Sequence, residues 1–355
     1  MLTTRHPYLF SPAHAEAEAA GAGFHAASGL PEAASIRDRV KALARAGLLD
    51  GLATGEVRRL AVLRAALSYE DPLDDLALII QELGAVPLAR AGGFDDVLAE
   101  ARAGDSVLAF ALTEPDAGSD VRALSTRAVE TPSGWRLTGT KWFISNAPDA
   151  DRAVVFARMG EGVGCFLVQD PPATAQRVSG HRIGRIDLHD TPARLVSPKG
   201  LPLALGTLER CRPTVGLAAW GMARRAFDET VRHLTTRVQF GAPLARLPVV
   251  QTRLAEMAVE LETCALPALH ACWRRDTASP GERTGYESAV GKVVATEAAC
   301  RIIDAAVQLH GGLGVEEGSV VQRLYRDVRP LRIYEGATDV LLTLIAARWL
   351  PEDPR

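Results

Sequence analysis

The chain reads as an α+β protein in which helical regions flank a small β domain. Three observations carry that reading. Apolar residues recur three and four apart in Val57–Leu67 and Leu76–Leu88, and again along the chain after Gly206. Between these regions lie short runs rich in β-branched and aromatic residues, separated by Gly, Pro and Asp breaks. A length of 355 residues, 47% of them hydrophobic, exceeds what one ordinary core needs.

The division follows from those patterns. Residues 1–108 form an N-terminal helical domain, with turns at Pro72 and Gly92-Gly93. Residues 109–205 form a middle barrel or sandwich, with strands at Trp135–Ser145, Ala153–Ala157 and Cys165–Val168. Residues 206–355 form a four-helix bundle, its helices over 207–237, 249–274, 286–310 and roughly 338–349. Pro213 suits an early turn of the first of these. Pro267 kinks or ends the second, and Gly311-Gly312 stops the third.

Composition excludes several classes. A net charge of −3 and a pI of about 6.3 advertise neither nucleic acid nor an anionic membrane as partner. The five cysteines, Cys165, Cys211, Cys264, Cys272 and Cys300, are scattered and form no CxxC pair, so no metal site and no disulfide framework is expected. Reduced thiols in a cytoplasm are the simpler reading. The N-terminus lacks a signal-peptide apolar region, and no run reaches the roughly 18–20 apolar residues of a membrane span.

Four segments carry candidate chemistry. Ala111-Leu-Thr-Glu-Pro-Asp-Ala-Gly-Ser-Asp120 is a rigid polar turn whose N–H groups suit a flavin edge or a phosphate; a solvated loop explains it equally simply. Gly139-Thr-Lys-Trp-Phe-Ile-Ser-Asn146 offers a flat apolar surface beside a hydroxyl, which suits an isoalloxazine ring, or is an ordinary core strand. Arg237-Val-Gln-Phe-Gly241 places an Arg where it pairs with a pyrophosphate, or merely with a helix C-terminus. Ile333-Tyr-Glu-Gly-Ala-Thr338, preceded by Gln308-Leu-His-Gly-Gly312, sets a Glu among apolar residues. Burial there makes a carboxylate a useful base, whereas a helix cap is the bland alternative.

Together, and in this order, the segments resemble the motifs of the acyl-CoA dehydrogenase family, from about residue 35 to 350. The resemblance implies FAD as cofactor and α,β-desaturation of an acyl thioester, with Glu335 removing the α-proton and flavin N5 accepting the β-hydride. It implies that Phe110, Leu112, Thr113, Gly118, Ser119, Phe143, Ile144 and Ser145 meet the flavin. Arg237, Phe240, Gln308, Gly311 and Gly312 would hold a dinucleotide across a subunit boundary, and Thr338 would join the cofactor site. Ser119, Arg212, Tyr334 and Gly336 would meet substrate. The implied partners are acyl-CoA or an acyl-carrier protein, electron-transfer flavoprotein or another electron acceptor, and further copies of the chain as a dimer or tetramer.

Departures from the family pattern are local. Pro248 stands where Gln is common, Ala337 replaces Thr or Ser, His189-Asp-Thr-Pro192 replaces a common SDTR, and the N-terminal region is short. Arg210, Arg224 and Arg225 are candidates for an acidic carrier-protein surface. Rival readings on the same frame are an oxidase, a dehydrogenase of an oxygenated acyl group, a flavin monooxygenase, or a DNA-binding relative. Monooxygenases on this fold commonly lack the Glu. DNA-binding relatives add a basic extension, whereas this sequence ends in Pro351-Glu-Asp-Pro-Arg355.

Overall fold

The computed structural model describes residues 1–31, 33–178, 181–279 and 281–350, so Pro351–Arg355 lie outside the described residues. In chain order the helices are α1 Leu2–Arg5, α2 Pro12–Ser28, α3 Ile36–Arg45, α4 Val57–Glu70, α5 Pro72–Ala91 and α6 Asp95–Ala103. The strands β1 Leu108–Ala111, β2 Arg127–Thr131, β3 Gly134–Ser145, β4 Arg152–Met159, β5 Gly162–Gln169, β6 Ala173–Val178 and β7 His181–Ser197 follow. Then come α7 Gly200–Thr236, the hairpin strands β8 Val238–Gln239 and β9 Ala242–Pro243, α8 Pro248–Thr277, α9 Gly285–His310, α10 Val320–Val328 and α11 Thr338–Ala347.

The chain forms two compact units. The first comprises Met1–Ala22, Val57–Pro72 and Arg212–Arg355. Its core is built from α4, α7 beyond Arg212, α8, α9 and α10, with Ala61, Ala65, Val215, Ala218, Leu261, Ala295, Ile302 and Leu324 all buried. Small residues let the helices approach closely. A Cβ on Gly216 would lie 2.9 Å from the Ala295 Cβ, and one on Gly291 only 2.8 Å from the Ala268 Cα. Burial of this apolar surface supplies about 25 cal/mol per Å². Two polar groups that enter the core find partners there: the Trp220 indole N–H donates to the Leu261 carbonyl at 2.9 Å, and Arg64 donates to Thr214 Oγ1 at 2.8 Å.

The second unit comprises Gly23–Glu56 and Leu73–Cys211. Its strands pair in the order β1-β4-β2-β3-β7-β5, with β6 beside β7, and a further β4–β5 pairing closes the circuit. Most pairs are antiparallel, but β1 runs parallel to β4, with Leu108 opposite Arg152. Gln81 on α5 is fully buried and fixes the start of β1: its Oε1 accepts from Leu108 N at 2.6 Å, and its Nε2 donates to the Ser106 carbonyl at 2.9 Å. Arg39 and Asp74, both buried, join α3 to α5 at 2.5 Å.

Two helix boundaries differ from the sequence expectation. α7 starts at Gly200 rather than near residue 207, which places Pro213 inside the helix instead of in its first turn. The earlier start follows from packing, since Ala204 is buried with Leu203 and Leu208 beside it in a core of the second unit. Pro267 lies inside α8, which continues to Thr277. An internal Pro costs about 3 kcal/mol or more. The buried Cys264, Ala268, Leu269, Ala271 and Cys272 on both sides of it offset that cost. Gly311 does stop α9, at φ +62.

Candidate active site

In the second unit, β1 delivers the turn at Thr113 to the middle of β3. Trp142 N donates to the Thr113 carbonyl at 2.9 Å. Glu114 is buried and accepts from Lys141 Nζ at 2.7 Å, Ser125 N at 2.6 Å and Oγ at 2.7 Å, and Thr126 N at 3.1 Å; Lys141 also donates to the Leu112 carbonyl at 3.1 Å. Burial alone would raise the Glu114 pKa, but the Lys141 charge and these donors outweigh it and hold the carboxyl at about 2. Burial draws the Lys141 ammonium down to about 8 against the pull of Glu114. This pair locks the turn to the strand. It was not among the sequence candidates, although both residues lie inside the motifs.

Past Lys141 the strand departs from regular pairing with β7, its register shifting between Lys141 and Ile144. Phe143 takes a left-handed backbone, φ +55, and is 55% exposed. Its ring stacks on Trp142 with centroids 5.4 Å apart. The Trp142 indole nitrogen is buried and has no hydrogen-bond partner among the described residues. Ile144 is buried and Ser145 half-buried. Phe110 is half-buried and leans on Phe156 at 5.1 Å, Leu112 is buried, and Gly118 and Ser119 are exposed at the turn's far end.

In the first unit, Glu335 also has a left-handed backbone, φ +54, and Gly336 follows at φ +106. Arg212 Nε on α7 donates to the Glu335 carbonyl at 2.8 Å. Lys292 Nζ on α9 donates to the Gly336 carbonyl at 2.7 Å. Tyr334 is half-buried against the core. The Thr338 hydroxyl donates to Glu297 Oε1 at 2.7 Å, and Arg332 Nε donates to the same oxygen at 2.6 Å. Arg212, Tyr334, Glu335 and Gly336 are thus brought together, and Lys292 joins them without having been singled out in the sequence. The signal for it was present: Lys292 shares a buried helix stripe with Ser288, Ala295, Thr296 and Ala299, an unusual place for a charge.

The remaining candidates sit at the rim of this unit. β8 and β9 form a tight hairpin whose turn residues, Phe240 at φ +52 and Gly241 at φ +79, are both left-handed. Phe240 is 92% exposed at the tip, and Arg237 at its base is exposed too. Gln308, Gly311 and Gly312 are exposed at the end of α9. Beside Gln308 a groove of about 660 Å³ is lined by Arg253, Cys300, Tyr325 and Arg329. The arginines considered for a carrier surface are already engaged within their own units. Arg210 pairs with Glu82 at 2.9 Å, Arg224 with Asp228 at 2.9 Å and Arg225 with Glu229 at 2.9 Å.

Comparison with known proteins identifies the family. Residues 109–191 match the middle-domain model of the acyl-CoA dehydrogenases, and residues 198–350 match the C-terminal-domain model. A subunit of the caffeyl-CoA reductase–Etf complex of Acetobacterium woodii is 32% identical over 265 residues, covering 70% of this chain and 69% of that protein. The chain belongs to the acyl-CoA dehydrogenase family. Human mitochondrial short-chain specific acyl-CoA dehydrogenase is 35% identical over 267 residues, which cover 70% of this chain and 64% of that enzyme's length. The fold agrees as well: glutaryl-CoA dehydrogenase of Mycobacterium smegmatis, solved with FADH2, is 24% identical and matches 98% of this chain and 97% of its own at a TM-score of 0.87. Relatives named dehydrogenase and reductase alike make this acyl-CoA dehydrogenase family member an oxidoreductase. Among the described residues no helix is long and apolar enough to cross a membrane.

Proposed function

We propose that the chain is an FAD-dependent acyl-CoA dehydrogenase in which Glu335 removes the α-proton. The observation that supports this most is the Glu335 backbone, held in a left-handed conformation that a non-Gly residue adopts at a cost of roughly 1–3 kcal/mol. Strain of that kind persists where surrounding contacts over-determine it, and Arg212 supplies one of those contacts from a different helix.

The second unit fits a flavin. An exposed Phe143 on a kinked strand, stacked on a Trp142 whose buried N–H has no partner among the described residues, offers a flat apolar surface and a donor in one place. Thr113, Gly118, Ser119, Ile144 and Ser145, together with Phe110 and Leu112, are assigned to the same flavin. When bound, FAD supplies the acceptor for the β-hydride. The chain's own residues do the rest. Glu335 takes the proton from the carbon next to the thioester, and its main-chain N–H is the donor for the thioester carbonyl as negative charge develops there. Arg212, Tyr334, Gly336 and Ser119 bind and orient the acyl-CoA. In the reductive direction the same carboxyl returns the proton.

Arg237, Phe240, Gln308, Gly311 and Gly312 serve a dinucleotide held by a second copy of the chain, so the working species is a dimer or tetramer. An aromatic left 92% exposed on a strained hairpin tip suits such a contact. Electron-transfer flavoprotein or another electron acceptor takes the electrons on. We divide the chain at 1–108, 109–205 and 206–355, with a barrel in the middle and a four-helix bundle at the end; separate family matches at 109–191 and 198–350 support a boundary between the last two parts. Cytoplasmic residence suits five cysteines that form no disulfide among the described residues.

The test is anaerobic. Purified protein should be yellow, and a panel of acyl-CoA thioesters should bleach it. The same acyl group on a carrier protein is the comparison arm. A colourless protein that takes up no added FAD sinks the reading.

A further inference from the structure

We propose that Lys292 is a positioning residue for Glu335, acting with Arg212 as a two-point clamp on consecutive main-chain carbonyls. The inference rests on the reading of Glu335 as the base. Lys292 is fully buried, and its Nζ donates to the Gly336 carbonyl at 2.7 Å. Arg212 Nε donates to the Glu335 carbonyl at 2.8 Å. The two cations come from different helices, α9 and α7, and therefore fix the orientation of two adjacent peptide planes. Those planes define the left-handed turn at Glu335 and Gly336. Without the clamp, the turn relaxes toward the α or β regions that a Glu prefers. The carboxyl then moves with it.

The clamp also acts through charge. Burial pushes the Lys292 ammonium down to about 8, and the Glu335 carboxylate pulls it back up, so at neutral pH a cation stands close to the base. The charged groups gathered here are Arg212 from α7, Lys292 and Glu297 from α9, and Arg332 from the turn before Glu335. An opposite charge nearby lowers a carboxyl pKa. Removing Lys292 would therefore take away one of the positive charges that favour an ionised carboxylate there. Burying an ammonium for a neutral carbonyl is unfavourable by itself, and a hydrogen bond to a carbonyl does not require a full charge. The charge is explained by the carboxylate beside it.

The experiment compares Lys292→Met, which removes donor and charge, with Lys292→Gln, which keeps a donor. The readouts are the Glu335 carboxyl titration, followed by infrared difference against Glu335→Gln, and anaerobic flavin reduction by butyryl-CoA across pH. In Lys292→Met the titration should rise by about one unit or more. Reduction at neutral pH should slow by roughly ten- to a hundredfold. Lys292→Gln should show the same titration shift with a smaller loss of rate. A folded, FAD-loaded Lys292→Met with wild-type titration and wild-type reduction overturns the proposal. Should Lys292→Met fail to fold, the titration of Lys292→Gln decides: a rise supports the clamp, and no rise overturns it. If Glu335→Gln itself reduces flavin at the wild-type rate, the base assignment falls, while the infrared shift still reports on the clamp.

Discussion

Two carboxylates in this chain stand beside a buried lysine, and the lysines treat them differently. Lys141 bonds the Glu114 carboxylate directly, and the amides of Ser125 and Thr126 surround the same group. Glu114 is committed to structure: it is held ionised at about 2 and ties a turn to a strand. Lys292 instead bonds the main-chain carbonyl of Gly336, and Arg212 Nε the carbonyl of Glu335. There the two cations hold the backbone that carries the carboxylate. A motif carboxylate is thus not automatically a catalytic one. Glu114 is held through its own oxygens, whereas the segment of Glu335, the proposed base, is also held through its main-chain carbonyls.

The comparison breaks most readily at Glu335, the proposed base. Glu335→Gln should keep its FAD and bind acyl-CoA, yet reduce flavin roughly 10²–10⁴-fold more slowly in stopped flow. Near wild-type reduction would show that another group takes the proton.

The strut should fail in stability rather than in chemistry. Lys141→Met leaves the buried Glu114 without its cation, and removing one partner of a buried pair costs about 3–5 kcal/mol. Urea unfolding of this variant should show a midpoint well below wild type, while Lys292→Met moves far less. Equal losses would erase the distinction between the two lysines.

A smaller effect concerns pH. The folded-state pKa of Glu114 is depressed from 4.5 to about 2. Its contribution to stability is therefore fully present above the unfolded value and is lost as pH falls through the folded one. The stability gap between wild type and Glu114→Gln, followed by denaturant melts, should narrow as pH drops from about 4.5 toward 2. A gap that does not change over that window would mean that Glu114 is not held as an ion.

The smallest effect on stability belongs to the hairpin. Phe240 is 92% exposed, so Phe240→Ala should change folding free energy by no more than about 0.5 kcal/mol. It should nevertheless lower FAD retention on gel filtration and weaken subunit association. Full retention would detach this hairpin from the cofactor.

Much of this was legible in the sequence, and for a local reason. Strand and helix periods, turn residues and each of the Thr113, Phe143, Arg237, Gln308 and Glu335 segments are written in a few neighbouring residues, and the order of those segments identifies the family. What the sequence could not decide depends on packing between distant segments. α7 begins at Gly200 because Ala204 is buried beside Leu203 and Leu208, and α8 runs through Pro267 because residues on both sides are buried. Both outcomes set burial free energy against local propensity, and local propensity was all that could be read. Lys141 finds Glu114 across 27 residues, and Lys292 finds Gly336 across 44. Neither separation is a helix or strand period. The residue types at the site were therefore fixed by sequence alone, whereas tertiary structure decided which carboxylate is held as a strut and which has its backbone clamped.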